Sequence, residues 1–257
     1  MRSRYVDIDD RMEDLSDRLR ADPELAEDFL TKYELSWLYH ENALEGLVYS
    51  TQELATALAT AATPLAEATF VTALREIRNH KVALDLVRDE ARVKKPRLNL
   101  TLVKRLYETL GAGIDGRSVA EFRKDMPLHR AYFHEIAQPA RIPAALQKLL
   151  DACETADFRG AHPIQQAARV HHGFMQVFPY TENSGRVARL LGDLVLLHAG
   201  YRLPVIIHAT DRQRYYESLR LPESILRDLT MDALENALAQ AEKFFAETPS
   251  RSRKAAR

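Results

Sequence analysis

Cys153 is the chain's single cysteine, so no internal disulfide framework exists. Set in a helical apolar pattern, it reads as a buried, inert thiol rather than a nucleophile. Glycine is also scarce, with nine in 257 residues, too few for the tight turns of a loop-rich all-β protein. No apolar run approaches the ~20 residues of a membrane-spanning helix. The opening stretch, MRSRYVDIDDRMEDL, is charged throughout and lacks the apolar core of a secretory leader. The expected location is therefore the cytoplasm. An excess of one charge is missing too. Thirty-six Lys and Arg against 37 Asp and Glu leave a net charge of −1, so no overall field draws the protein toward nucleic acid or a membrane. Neither an HExxH pattern nor another metal-ligand spacing occurs. Internal repeats and low-complexity tracts are absent. The short basic tail, Arg251, Arg253, Lys254 and Arg257, reads as a solvated terminus.

Helical periodicity fills the rest. Hydrophobic residues at 46% and charged residues at 28% are an ordinary globular balance that can fill a core. Met12, Leu15 and Leu19 recur at helical spacing, as do Leu25 and Phe29, then Leu35 and Leu38. Asp22-Pro23 and Thr63-Pro64 each supply an N-cap followed by proline at the first helical position. The second of these predicts a long helix from about Leu65 to Val93, with Phe70, Leu74, Ile77, Leu84 and Val87 on its apolar series. Further helices are expected over Leu98 to Leu110, stopped by Gly111 and Gly113, and over 143–155, 162–176, 184–199, 212–219 and 223–246. The stretch from Gly116 to Ala140, with Pro127 and Pro139, is the least helical and predicts a short hairpin or irregular flap. The expected fold is all-α with a small β-hairpin. Its organisation is an N-terminal helical region over 1–95, a core over 96–246 and a basic tail over 247–257.

One segment carries chemistry. Between two predicted helices runs Phe178-Pro179-Tyr180-Thr181-Glu182-Asn183-Ser184-Gly185-Arg186-Val187-Ala188-Arg189. Ser184 and Gly185 let the backbone approach a ligand closely, and the next helix aims its first N–H groups and positive dipole end into the same space. Arg186 and Arg189, three residues apart, share a helix face, and two guanidinium forks suit a polyphosphate. Glu182 is a candidate for a magnesium ion bridging the phosphates. The same residues also fit a capped helix with two surface arginines, and spacing alone does not decide between the two.

The segment resembles the Fic motif, His-Pro-Phe-x-Asp/Glu-Gly-Asn-Gly-Arg-x-x-Arg. Pro179, Tyr180, Glu182, Gly185, Arg186 and Arg189 match it, whereas Phe178 replaces the histidine, Asn183 the first glycine and Ser184 the asparagine. Leu196 to Pro204, Asp211 to Leu219, Glu76 to His80 and Glu121 to Arg123 resemble other family landmarks in the right order. Upstream, Glu41-Asn42-Ala43-Leu44-Glu45-Gly46 resembles the family's inhibitory helix, Ser/Thr-x-x-x-Glu-Gly/Asn, with Glu41 in place of the hydroxyl residue. The resemblance implies a Fic-like helical domain that binds ATP or another phosphate-containing nucleotide with magnesium. It implies that Asn183, Ser184, Gly185, Arg186 and Arg189 hold the phosphates. It also implies that Glu45, followed by Gly46, pairs with Arg189 and excludes the γ-phosphate.

In the family, the histidine is the general base for AMP transfer to a protein hydroxyl. Phe178 has no lone pair, and a general base typically contributes ~10²–10⁴-fold. Transfer is therefore expected to be lost or strongly altered. Glu45 is the alternative base, for a transferase of non-standard chemistry or for removal of AMP by an activated water. His171 and His172 read as helix-packing residues; His129 and His134 near the flap are weaker candidates for the missing base. A protein target is expected at the flap, residues 129–140, and a homo-oligomer is among the expected assemblies.

Overall fold

Asp22-Pro23 starts a helix as the sequence predicts: the Asp22 carboxylate accepts from the Leu25 N–H at 3.1 Å, and Pro23 opens the first turn. The computed structural model describes residues 3–59, 68–127 and 134–248. Among them are eleven α-helices. These are α1 (Arg4–Ala21), α2 (Pro23–Leu44), α3 (Thr51–Leu58), α4 (Ala68–Ala91), α5 (Leu100–Leu110), α6 (Ile142–Ala152), α7 (Ala156–Gly160), α8 (Pro163–Val177), α9 (Ser184–His198), α10 (Arg212–Ser218) and α11 (Glu223–Glu247). Two short helices, α3 and α7, escape the periodicity reading. They are held by local chemistry instead: a capping box between Ser50 and Glu53, and the Thr155 hydroxyl accepting from Phe158 N–H. The predicted start at Thr63-Pro64 lies outside the described residues.

The helices α8 and α9 pack against each other at the centre. α4 covers α9, α11 covers α8, and α1 lies on α11. Phe174 and Met175 of α8 and Val187, Leu190, Leu191 and Leu194 of α9 are all buried. One apolar cluster runs from Ile8 to Ala241 and takes residues from both sides of position 95. No described helix is long and apolar enough to cross a membrane.

The expected hairpin finds no support here. No strand occurs among the described residues. Residues 116–127 and 134–138 run instead as turns and extended coil, with each side bonded to the end of α8 and the loop after it. Arg123 N–H donates to Pro179 O and Ala137 N–H to Gln176 O, both at 2.9 Å. Pro127 and Pro139 bring no N–H to a ladder. Residues 128–133, with His129, lie outside the described residues.

Candidate functional site

The loop between α8 and α9 is closed by two left-handed residues, Phe178 (φ 46°) and Asn183 (φ 59°). Asparagine tolerates that region well, whereas a bulky phenylalanine costs roughly 1–2 kcal/mol there. Arg123 stabilises the loop by donating from Nε to Phe178 O at 2.8 Å and from Nη2 to Ala137 O. Inside the loop, Tyr180 is fully buried and stacks on Tyr107 with ring centroids 4.0 Å apart. The Ser184 hydroxyl both accepts from Tyr180 N–H (2.9 Å) and donates to Tyr180 O (2.8 Å). Ser184 therefore braces the turn.

At the N-terminus of α9, Asn183 caps nothing with its side chain. Its Oδ1 accepts from Arg186 Nη1 at 2.9 Å, while Arg186 Nη2 donates to Asn42 Oδ1 at 2.8 Å. Arg186 is buried, and its Nε has no hydrogen-bond partner. Arg189, also buried, is held by two carboxylates from α2 and the residue after it. Nε donates to Glu41 Oε2 and Nη2 to Glu45 Oε1, each at 2.7 Å, and Nη1 reaches Tyr215 OH at 3.3 Å. Glu41 and Glu45 are four residues apart on one helix face, which is why both meet one guanidinium.

Gly46 fixes where Glu45 stands. Gly46 N–H donates to Ala43 O and Leu47 N–H to Asn42 O, both at 3.0 Å, with Gly46 at φ 87°. That pattern ends α2 in a left-handed glycine turn and leaves Glu45 as its C-terminal cap. A carboxylate is disfavoured at the negative end of its own helix. Here it is stabilised by the positive end of α9. A Cβ at Gly185 would lie 2.7 Å from Glu45 Oε1, so the carboxylate rests directly on that glycine.

The two acids titrate differently. Burial opposes ionisation of both. For Glu45, the charges of Arg189, Arg186 and Arg212 outweigh that penalty and hold its pKa below the ordinary value. For Glu41, burial outweighs Arg189 and raises it. Burial also keeps His80 and His171 well below the usual histidine range. Neutral His80 lies 3.6 Å from Glu41 and edge-on to Trp37.

Glu182 pairs with a third arginine rather than with Arg186 or Arg189. Its carboxylate is paired with Arg117 Nε, and Arg117 Nη1 donates to Glu76 Oε1 at 2.5 Å. With a guanidinium already seated on it, Glu182 does not fit a divalent cation in this arrangement. No group of three His, Cys, Asp or Glu among the described residues could hold a metal.

Of the residues singled out from sequence, Glu45, Gly185 and Arg189 therefore meet, and Arg186 stands beside Asn183. Of the candidate histidines that are described, His171 Nε2 is 2.9 Å from Tyr215 OH, His172 Nε2 is 3.0 Å from Leu221 O, and His134 Nε2 is 2.8 Å from Met175 O. Sequence reasoning missed Asn42, Tyr215 and Arg117. Asn42 had one usable signal, its place beside Glu41 in the helix ending at Gly46. Arg117 had none, since it sits in a turn far in sequence from both acids it joins.

The geometry gathers two buried arginines and the N-terminus of α9 around the carboxylate of Glu45. The profile of the Fic/DOC family matches residues 97–196. A protein adenylyltransferase Fic of Drosophila virilis is 25% identical over 219 residues, 85% of this chain and 44% of that protein. One of Nematostella vectensis is 47% identical over 58 residues, 23% of this chain and 13% of that protein. This chain spans less than half the length of the curated relatives it matches. A Fic domain-containing signalling protein from Bacteroides thetaiotaomicron superposes with a TM-score of 0.75 at 21% identity, covering 94% of this chain and 97% of that one. Fic-1 (residues 134–508) from C. elegans gives 0.76 at 19% identity, covering 94% and 71%. The match to the Fic/DOC family is thus to residues 97–196, and the likeness to the solved structures is one of fold.

Proposed function

We propose that this protein is a Fic-like nucleotide- or phosphate-binding protein, autoinhibited by Glu45, in which AMP transfer to protein hydroxyls is lost or strongly altered. The observation that carries the reading is the Glu45 carboxylate seated on Gly185 and hydrogen-bonded to Arg189 at 2.7 Å. A carboxylate and a phosphate compete for one guanidinium, and the same helix N-terminus favours either anion. Arg186, buried with an unpartnered Nε, supports a ligand at this corner, because an orphaned buried donor is costly unless a ligand satisfies it. In this division of labour, residues 1–95 supply the block and 96–246 the anion loop, with Asn183, Ser184, Gly185, Arg186 and Arg189 around the phosphates. The target, if the chain acts on one as its adenylyltransferase relatives do, is a protein segment laid along residues 129–140.

Phe178 removes the proton acceptor. Glu45 is a poor replacement in its resting position, because a carboxylate held below its ordinary range accepts protons weakly. Calorimetry with ATP, with and without magnesium, tests the reading on wild type and Glu45→Gly. The variant is expected to bind about tenfold more tightly, equivalent to ~1.4 kcal/mol; equal affinities would remove the inhibitory role. Labelled ATP and a cell lysate then compare wild type, Phe178→His and Phe178→His with Glu45→Gly. Labelling of targets by the double variant alone is the expected result. Labelling by wild type that Arg186→Ala abolishes would show a working transferase of other chemistry.

A further inference from the structure

Arg117 reaches Glu182 through a turn built for close approach. Ile114 N–H donates to Gly111 O at 3.0 Å and Arg117 N–H to Ile114 O at 3.1 Å. A Cβ on Gly111 would fall 1.8 Å from Arg117 O, inside any contact distance, so only glycine lets the chain fold back here. The guanidinium is then fastened on two sides. Nη1 donates to Glu76 of α4 at 2.5 Å, and Nε pairs with Glu182 in the loop before α9. The Glu76 side chain is only 10% exposed and Glu182 is 48% exposed, so the more solvated acid is tied to the rigid helix through the arginine. Two carboxylates on one cation is the arrangement a divalent ion would otherwise supply, and a guanidinium makes it with directed hydrogen bonds.

We propose that Arg117 is the resident cation of this site, occupying Glu182 so that the neighbouring Arg186–Arg189 corner takes its phosphate-bearing ligand without a divalent metal. The inference rests on the nucleotide reading given above only for the identity of that ligand. Neutralising Glu182 removes a negative charge that would repel an incoming phosphate. It also removes the hard oxygen ligand that a magnesium ion would need from the protein. Charge compensation within the loop is thus covalently part of the chain.

Manganese titration followed by electron paramagnetic resonance, on the full chain without nucleotide, reads the Glu182 position directly. Wild type and Arg117→Lys are expected to bind Mn²⁺ weakly. Arg117→Gln, which frees two facing carboxylates, should gain about tenfold in Mn²⁺ affinity, and Arg117→Gln with Glu182→Gln should lose that gain. Thermal melting of each variant confirms that the fold is kept, and Arg117→Lys reports on charge with little change in bulk. Wild type binding Mn²⁺ as tightly as Arg117→Gln, in a manner that Glu182→Gln abolishes, would overturn the proposal. In the Glu45→Gly background, ATP affinity should be equal with magnesium and with chelator. A drop of about tenfold in chelator would also overturn it. Absence of ATP binding in every buffer would sink the nucleotide reading instead, leaving the manganese result to decide the role of Arg117.

Discussion

Gly185 and Glu45 share one volume: a Cβ at position 185 would stand 2.7 Å from Glu45 Oε1 and 3.1 Å from Arg189 Nη1. The glycine therefore admits one oxygen-bearing group against the helix N-terminus, whether carboxylate or phosphate. Gly185→Ala in the Glu45→Gly background should lower ATP affinity about tenfold or more while leaving the protein at least as stable, since alanine is ~1 kcal/mol better than glycine within a helix. Calorimetry and thermal melting on the same samples check both halves. Unchanged affinity would place the nucleotide elsewhere.

Gly46 holds the same contact from the other side. Its φ of 87° is disfavoured for alanine by about 1–2 kcal/mol. Gly46→Ala should lose about that much stability in urea, and it should tighten ATP binding because the end of α2 no longer sets the Glu45 carboxylate in place. Lost stability with unchanged ATP affinity would confine Gly46 to a purely structural role.

Glu41 and Glu45 share Arg189 but contribute differently. Glu41 is 2% exposed and Glu45 25%. Glu41→Ala leaves a buried arginine half-compensated and should cost about 3–5 kcal/mol. Glu45→Gly should cost clearly less, because Glu45 is partly solvated and sits against its own helix dipole. Urea denaturation of the two single variants measures the difference, and similar losses would contradict the assignment.

The pH dependence of stability separates them as well. The Glu45 pKa is depressed on folding, so its stabilisation is complete above the ordinary 4.5 and is lost as pH falls through the lower folded value. The Glu45–Arg189 pair therefore persists at neutral pH and weakens only in acid. The Glu41 pKa is raised, so the fold favours its protonated form below 4.5, and stability declines as pH rises from there toward the folded value. Glu41→Gln should flatten the stability profile on that upper side. A profile identical to wild type would show that Glu41 ionises without penalty.

Cys153 offers a separate check on the core. Burial raises its thiol pKa to about 12, and Sγ donates to Leu149 O at 3.2 Å. Disulfide-exchange reagents at pH 8 should leave it unmodified in the folded protein and react with it fully in urea. Rapid reaction without denaturant would mean that the end of α6 opens readily.

Much of the fold was legible because helices announce themselves locally. The spacing of Leu74, Ile77, Leu84 and Val87, the Asp22-Pro23 start and the Gly111 stop depend on neighbours within a turn or two. The loop motif was legible as residue types, down to the arginine pair and Phe178. What failed was pairing across distance. Pro127, Pro139 and polar turns read as a hairpin or irregular flap because they break helices. The partners of that segment, Pro179 O and Gln176 O, could be supplied only by the folded end of α8.

By itself, the sequence determined a mainly helical chain, a glycine-and-arginine set at the start of α9 and a glutamate–glycine pair upstream of it. The tertiary structure decided which charges meet: Glu41 and Glu45 on Arg189, Asn42 on Arg186, and Arg117 between Glu76 and Glu182. Helix formation follows from hydrogen bonds four residues apart. Charge pairing depends instead on which helix ends the packed core brings within a few ångströms and shields from water.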